Sequence, residues 1–413
     1  MATMSQKLDE ILHGLAFEKI EGEVPRNESD PLLARLKALG TEVWIDTGEL
    51  EKAQEIWKDE LTALTTNNTL ANQVVQSGVM DQVIKDTIDK IKQEGLDLPE
   101  DEMILEVGFV INCKIALRLV QAFKVKVSVE LHPAISRSIE RTLHYGRRYY
   151  NVCPEYFTVK VPLTPEGYLA VRILRKEGVP INFTLGFSVR QNYLAARLAN
   201  PDFVNVFLGR LNQVVMNHKA GTGELVGEKV TLATQQALRS ARENDNSMES
   251  RLIAASIRNG DQVAFLAGLD VLTIPPKSMK EYQESGKIPE QVVSHIDDAI
   301  EPGIDPQYYT RFSELWKLTE EFKSFVDVLI SKSELDSMKG NELAEFSRAQ
   351  GVNLFHPFSD DDLNKIQEQG KIPDLNAWPE SIAVDDLMTQ SALQSFTKDQ
   401  NALDERIRSF LKE

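Results

Sequence analysis

The sequence is poor in cysteine, with only Cys113 and Cys153 in 413 residues. Two unpatterned thiols make neither a disulfide scaffold nor a zinc site, and they fit a reducing, cytoplasmic setting. Long apolar runs are absent too. No stretch of 18 apolar residues occurs, and the N-terminal MATMSQKLDEILHGLAFEKIEGE carries acids through its first apolar segment. A signal peptide, a membrane anchor and a spanning helix are therefore not expected. Basic charge is in deficit: 46 Lys and Arg face 63 Asp and Glu, a net charge of −17. That balance argues against nucleic acid or an anionic membrane as a partner. The glycines of NHKAGTGELVGEK (217–229) form no GxGxxG after a strand, so this segment reads as a flexible loop and not as a dinucleotide cradle.

What is present can build a large core. At 42% hydrophobic residues the chain has material for one big domain or two to three ordinary ones. Its acidity is uneven: residues 301–413 hold 22 acids and 12 bases, whereas 131–176 carries a basic excess that would welcome an anionic small substrate. In order, strand-like segments alternate with helix-like ones. EVWID (42–46) precedes 49–58, and TALTTN (62–67) precedes helical stretches near 70–93 and 102–122. VKVSVE (125–130) precedes 134–147, YFTVKVPLT (156–164) precedes 165–177, and INFTLG (181–186) precedes 188–199. FVNVFL (203–208) leads to 225–242, RLIAASI (251–257) to 260–268, and DVLTI (270–274) to 277–285. Eight such units in about 250 residues predict an α/β fold, a closed (β/α)8 barrel, with an open doubly wound sheet as the alternative. The expected division is an N-terminal helical extension (1–40), a catalytic barrel (41–300) and a C-terminal helical extension (301–413) packing on it.

Strand parity marks the interior. Trp44 and Asp46 share a face, as do Lys126, Ser128 and Glu130; Asn182 and Thr184; Asn205 and Phe207; and Ala254, Ser256 and Arg258. The opposite faces are apolar, for example Val43/Ile45 and Val127/Val129, and suit packing against outer helices. On YFTVKVPLT the odd residue is Lys160, alternating with Val159 and Val161 and with no carboxylate beside it in sequence. Burial disfavours a charged ammonium, so an inward lysine offers a free amine as nucleophile toward a carbonyl. A strand-end lysine that reaches back to solvent is the plainer reading. One inward polar residue is ordinary; many of them, near the C-terminal ends of several strands, mark the end where such barrels carry their sites.

In order along the chain, IDTGELE (45–51), LTTNNTL (64–70), VSVELHP (127–133), TVKVPLTPEG (158–167), NFTLGFSVRQ (182–191), VFLGRL (206–211) and AASIRN (254–259) resemble the strand-end motifs of transaldolases. IAVDDLMTQSALQSFTKDQNALDERI (382–407) resembles that family's closing helical segment. The resemblance implies transfer of a dihydroxyacetone unit between sugar phosphates in the pentose phosphate pathway, with no metal and no cofactor. It implies Lys160 as the Schiff-base lysine, Glu130 acting through a water as acid and base, and Asp46 handling the proton at the cleaved carbon–carbon bond. Thr184, with Asn67 and Asn182, would orient substrate and water, while Arg210, Ser256 and Arg258 would bind the substrate phosphate. Asn205 stands where the family usually has serine. The related lyases, which split fructose 6-phosphate without an acceptor, tend to have glutamine and tyrosine where this chain has Glu130 and Phe207, so these two residues favour the transferase. A non-catalytic barrel with a binding role is the other alternative. Residues 305–380, extra relative to compact members, are expected to form a helical subdomain, with a lid or a homodimer surface as the sharper reading.

Overall fold

The computed structural model describes residues 4–412; residues 1–3 and 413, the outer ends of the expected extensions, lie outside this range. Eight parallel strands pair in sequence order: β1 (Glu42–Asp46), β2 (Leu61–Thr65), β3 (Lys126–Glu130), β4 (Phe157–Pro162), β5 (Ile181–Thr184), β6 (Phe203–Phe207), β7 (Arg251–Ala255) and β8 (Val271–Ile274). β8 pairs with β1, so the sheet closes into the (β/α)8 barrel expected from the alternation.

Register decides which side chains meet, because partners on neighbouring parallel strands point to the same side. Asp46 lies beside Thr65, Thr65 beside Ser128, Glu130 beside Lys160, and Lys160 beside Asn182. These occupy the interior, while Val43, Ile45, Val127, Val129 and Val159 are buried on the helix side. The N-terminal end of the barrel is plugged. Trp44 and Phe203 meet edge to face with centroids 4.7 Å apart, beside an Arg251–Glu42 ion pair of 2.6 Å.

Three expectations change. On β7 the parity is inverted: Ile253 pairs with Asn205 and Ala255 with Phe207, so these two face the interior and Ala254 faces the helices. Both faces of β7 are apolar, so alternation carried no signal there. Ser256, in the left-handed region at φ 65°, leaves the strand, and Ser256 and Arg258 reach the barrel mouth from the loop. Second, the helical stretch near 70–93 is two helices, Asn68–Gln76 and Asp81–Gln93, parted at Gly78 (φ 84°), and 134–147 is a 3-10 turn Pro133–Ile135 followed by a helix Ile139–Val152. Third, the supposedly flexible loop 217–229 is pinned. A helix Leu208–Asn217 follows β6 directly and Val226–Asn244 comes next. Between them Gly223 N–H donates to Gly303 O (2.9 Å), Gly303 N–H to Glu224 O (2.8 Å) and Asp305 N–H to Ala220 O (2.8 Å). A Cβ on Gly221 would come within 2.3 Å of Gly303 O, so the close approach requires glycine.

Ahead of the barrel lie helices Met4–Ala16 and Pro31–Ala38; after it come Pro306–Ser313, Glu320–Ile330, Gly340–Ala349 and Asp360–Gln369. The last of these starts at Ser359, whose hydroxyl accepts from Asp362 N–H while Asp362 caps Ser359 in return. The chain ends in a 28-residue helix, Val384–Leu411, which packs along Asn68–Gln76. Its first turn is clamped to the loop after β5: Arg190 Nε and Nη2 donate to Asp385 at 2.7 and 2.8 Å, and Ser188 Oγ donates to the same carboxylate at 2.6 Å. Burial pushes Asp385 up, but the Arg190 charge and these hydrogen bonds together hold it below the usual carboxylate range.

Asp386 beside it has no such partner. Its carboxylate accepts from His356 N–H at 2.5 Å, yet burial raises its pKa to about 7. The unfolded group ionises near 4 and the folded one only near 7, so folding is penalised progressively as pH rises between those values and fully above them. Asp386→Asn keeps an acceptor oxygen without the charge. It is expected to stabilise the protein by roughly 1–3 kcal/mol at pH 8 and by far less at pH 4.5. Urea unfolding of both proteins at the two pH values measures this; an equal change at both would contradict it.

Candidate active site

The C-terminal ends of the strands open on a cavity of about 470 Å³. Asp46, Asn67, Lys160, Asn182, Asn205, Phe207, Arg210, Ser256 and Arg258 line it. Glu130 and Thr184 are not on its wall; both are buried, Glu130 next to Lys160 and Thr184 with its hydroxyl 3.5 Å from Asn205 Oδ1.

Lys160 sits on β4 with its Nζ 3.1 Å from Glu130 Oε2, and it donates to Thr66 O at 3.0 Å. Glu130 Oε2 makes no aligned hydrogen bond, so the contact is an ion pair that leaves a lone pair of the carboxylate unused. Asp46 Oδ1 accepts from Thr65 Oγ1 at 2.7 Å, and Thr65 meets Thr273 Oγ1 at 2.6 Å. Burial pushes both carboxyls above their usual range, opposed in each case by the Lys160 charge; Asp46 raises Glu130 further. Two buried acids that retain protons more readily than exposed ones, beside an amine, are suited to proton transfer.

A hydrogen-bonded rail holds the inner wall. Asn205 Nδ2 donates to Asn182 Oδ1 (3.0 Å), Asn182 Nδ2 to Ser128 Oγ (3.2 Å), and Leu185 N–H to Asn205 Oδ1 (3.1 Å). Leu185 has φ 72°, costly for a branched residue, and its carbonyl is tied by Thr389 Oγ1 at 2.9 Å. Asparagine at 205 thus bridges two neighbours, a reach that serine lacks. Asn67, placed at a strand end by the sequence, is the N-cap of the helix Asn68–Gln76: its Oδ1 accepts from Leu70 N–H, which leaves its NH2 for the cavity.

The mouth is cationic. Arg210 is buried, and burial, then the Arg258 charge, lowers its pKa to about 10. Its guanidinium lies 5.9 Å from the Phe207 ring centre and 5.7 Å from that of Phe396 on the closing helix. A Cβ on Gly209 would stand 2.6 Å from Arg258 Nε and 2.2 Å from Ser256 O, so glycine lets the Ser256–Arg258 loop settle beside Arg210. Neither arginine has a carboxylate ion-pair partner among the described residues.

Residues 43–326 match the family model described as transaldolase/fructose-6-phosphate aldolase. The chain belongs to that family. It is similar to a transaldolase of Chlamydia pneumoniae, 26% identical over 328 residues (78% of this chain, 91% of the relative), and to one of Prochlorococcus marinus, 29% identical over 265 residues (60% and 75%). A transaldolase of Kluyveromyces lactis is 27% identical over 265 residues (61% and 75%). The chain is an enzyme of the transaldolase type.

The sequence reading missed several residues of this transaldolase-type site. Thr273 carried a signal, being polar on the otherwise apolar β8, and Thr65 a weaker one on β2, which also holds Thr62. Lys371 and Phe396 line the cavity from beyond the matched segment and carried none. The closing helix also grips two site loops. Asn68 Nδ2 donates to Gln400 Oε1 (3.0 Å), Gln400 Nε2 to Asp404 Oδ1 (2.8 Å), and Asp404 pairs with His132 at 3.2 Å, so the segments that follow β2 and β3, next to Asn67 and Glu130, share one anchor. Among the described residues no helix is long and apolar enough to cross a membrane, and no group of three His, Cys, Asp or Glu could hold a metal ion.

Thr65→Val removes a hydrogen bond that favours ionised Asp46. The expected outcome is an acid limb of the kcat/KM–pH profile shifted to higher pH, with the alkaline limb unmoved. An unchanged acid limb would show that Asp46 does not set it.

Proposed function

We propose that this enzyme is a transaldolase that passes a dihydroxyacetone unit from a ketose phosphate, sedoheptulose 7-phosphate or fructose 6-phosphate, to an aldose phosphate through an imine on Lys160. The observation that carries the reading is a buried lysine beside two buried carboxylates on the inner side of a cavity whose mouth holds two arginines without carboxylate partners. The Lys160 amine adds to the ketose carbonyl, and water leaves to give the imine. Asp46 takes the proton of the C4 hydroxyl, the C3–C4 bond breaks, and its electron pair passes into the imine as an enamine while the aldose leaves. An incoming aldose carbonyl is attacked by the enamine and regains the proton from Asp46. Glu130 serves water addition and release of the new ketose. Arg210, Arg258 and Ser256 suit the phosphate because guanidinium forks match its oxygens. Asn67, Asn182 and Thr184 orient substrate and water in this reading, and the setting is the pentose phosphate pathway in the cytoplasm.

Borohydride with fructose 6-phosphate is expected to leave a reduced dihydroxyacetone adduct on Lys160, located by peptide mass mapping. Lys160→Ala should remove both adduct and turnover. An adduct on a different lysine of active enzyme overturns the assignment.

The lyase alternative turns on Phe207, which lines the cavity and packs edge to face on Phe187 with centroids 5.8 Å apart. Phenylalanine offers no proton to the bound enamine, so the three-carbon unit waits for an acceptor. Fructose 6-phosphate alone should release dihydroxyacetone slowly, and erythrose 4-phosphate should speed its consumption manyfold. Phe207→Tyr, with a phenol of pKa about 10, should raise free dihydroxyacetone. Equal rates with and without acceptor in the unmutated enzyme would favour the lyase.

A further inference from the structure

The family match ends at residue 326, yet the cavity wall does not. Lys371 lines it together with Arg210, Ser256 and Arg258. Four lysines line this cavity, and three of them are engaged: Lys160 pairs with Glu130 at 3.1 Å, Lys52 with Glu49 at 2.7 Å and Lys277 with Glu281 at 3.7 Å. Lys371 is exposed and has no carboxylate partner among the described residues, although residues 301–413 hold 22 acids against 12 bases. An unpaired cation in an acidic segment, on the wall of a cavity that already holds two arginines lacking carboxylate partners, raises local repulsion. A dianion arriving there relieves it.

The turn that presents Lys371 is built. Gly370 ends the helix Asp360–Gln369 at φ 84° and ψ −148°, in a region open essentially to glycine alone. Gly370 O accepts from Ser391 Oγ of the closing helix at 3.0 Å, and Gln369 Oε1 accepts from Asp374 N–H and Trp378 Nε1, each at 3.2 Å. From this turn Lys371 O accepts from Arg210 Nη1 at 3.3 Å. One donor of the guanidinium is thereby held and the rest of its fork is left for another acceptor. The same residue fixes the orientation of Arg210 by its carbonyl and adds a positive charge by its side chain.

We propose that Lys371 is a phosphate-recognition residue, a third cation supplied by the C-terminal segment for the phosphate monoester of the sugar substrates. The inference rests on the phosphate reading of Arg210, Ser256 and Arg258 above and extends it to a residue outside the family match. Because every ketose and aldose phosphate would place its phosphate there, Lys371 acts on donor and acceptor alike and not on the bond-breaking step.

The test compares Lys371→Met, Lys371→Arg and Arg258→Met in the full chain, with fructose 6-phosphate and unphosphorylated fructose as donors and inorganic phosphate as competitive inhibitor. Lys371→Met keeps the aliphatic stem and the carbonyl. It is expected to raise KM for fructose 6-phosphate and Ki for phosphate about tenfold, with kcat nearly unchanged and fructose turnover unaffected; Lys371→Arg should restore both constants. A Lys371→Met enzyme with unaltered Ki, beside an Arg258→Met enzyme whose Ki rises, overturns the role of Lys371 while the phosphate site stands. Unaltered Ki in both removes phosphate from this mouth altogether. Equal losses with fructose and fructose 6-phosphate would make Lys371 a packing residue and overturn the proposal.

Discussion

Burying an amine among carboxylates is the constraint on which the interior depends. Lys160, Glu130 and Asp46 are each removed from bulk water, and desolvation of such groups is compensated only where partners stand in place. The barrel meets this with register. Glu130 and Lys160 are side-by-side partners on β3 and β4, and the threonines of β2 and β8 steady Asp46 across the interior. A helix or loop could not hold three ionisable groups so closely without freedom to separate them. The raised carboxyls are the chemical result: acids that burial makes hold a proton more readily than exposed ones are suited to give and take one during turnover.

The closing helix does more than cover apolar surface. Asp385 with Arg190 fixes one end to the loop after β5, and Gln400 and Asp404 fix the middle to the loops after β2 and β3. Phe396 and Ser391, between those anchors, put an aromatic face beside Arg210 and a hydroxyl under Gly370. The C-terminal segment is therefore coupled to the site through specific polar contacts, so a change such as Asp386 ionisation would reach the site by loosening its frame and not by touching substrate.

How legible the site was varied with the strand. On β1, β3 and β4 one face is uniformly apolar and the other is not, so Asp46, Glu130 and Lys160 declared their direction through a period of two. On β7 both faces are apolar, and the reading inverted it. Ser256 and Arg258 reached the mouth by a left-handed turn that no alternation predicts. Asn67 was legible as a polar strand end but not as a helix cap, because β2 stops at Thr65, two residues earlier than expected, and that changes its role. Segment 217–229 looked flexible from its glycines; Gly221 among them allows a backbone approach to 303–305 that only the folded chain makes.

The sequence by itself determined the alternation that builds the barrel and the strand face on which Lys160 stands, because both follow from local periodicity: eight alternations of strand and helix, and one charge set between valines. Pairing across distance was left to tertiary structure. The closure of β8 on β1, the 3.1 Å approach of Glu130 to Lys160, and the arrival of Lys371 and Phe396 at the mouth depend on register and on helix docking between residues up to hundreds of positions apart. Spacing along the chain carries no record of such contacts, since they arise only when the sheet closes and the C-terminal helix is laid across it.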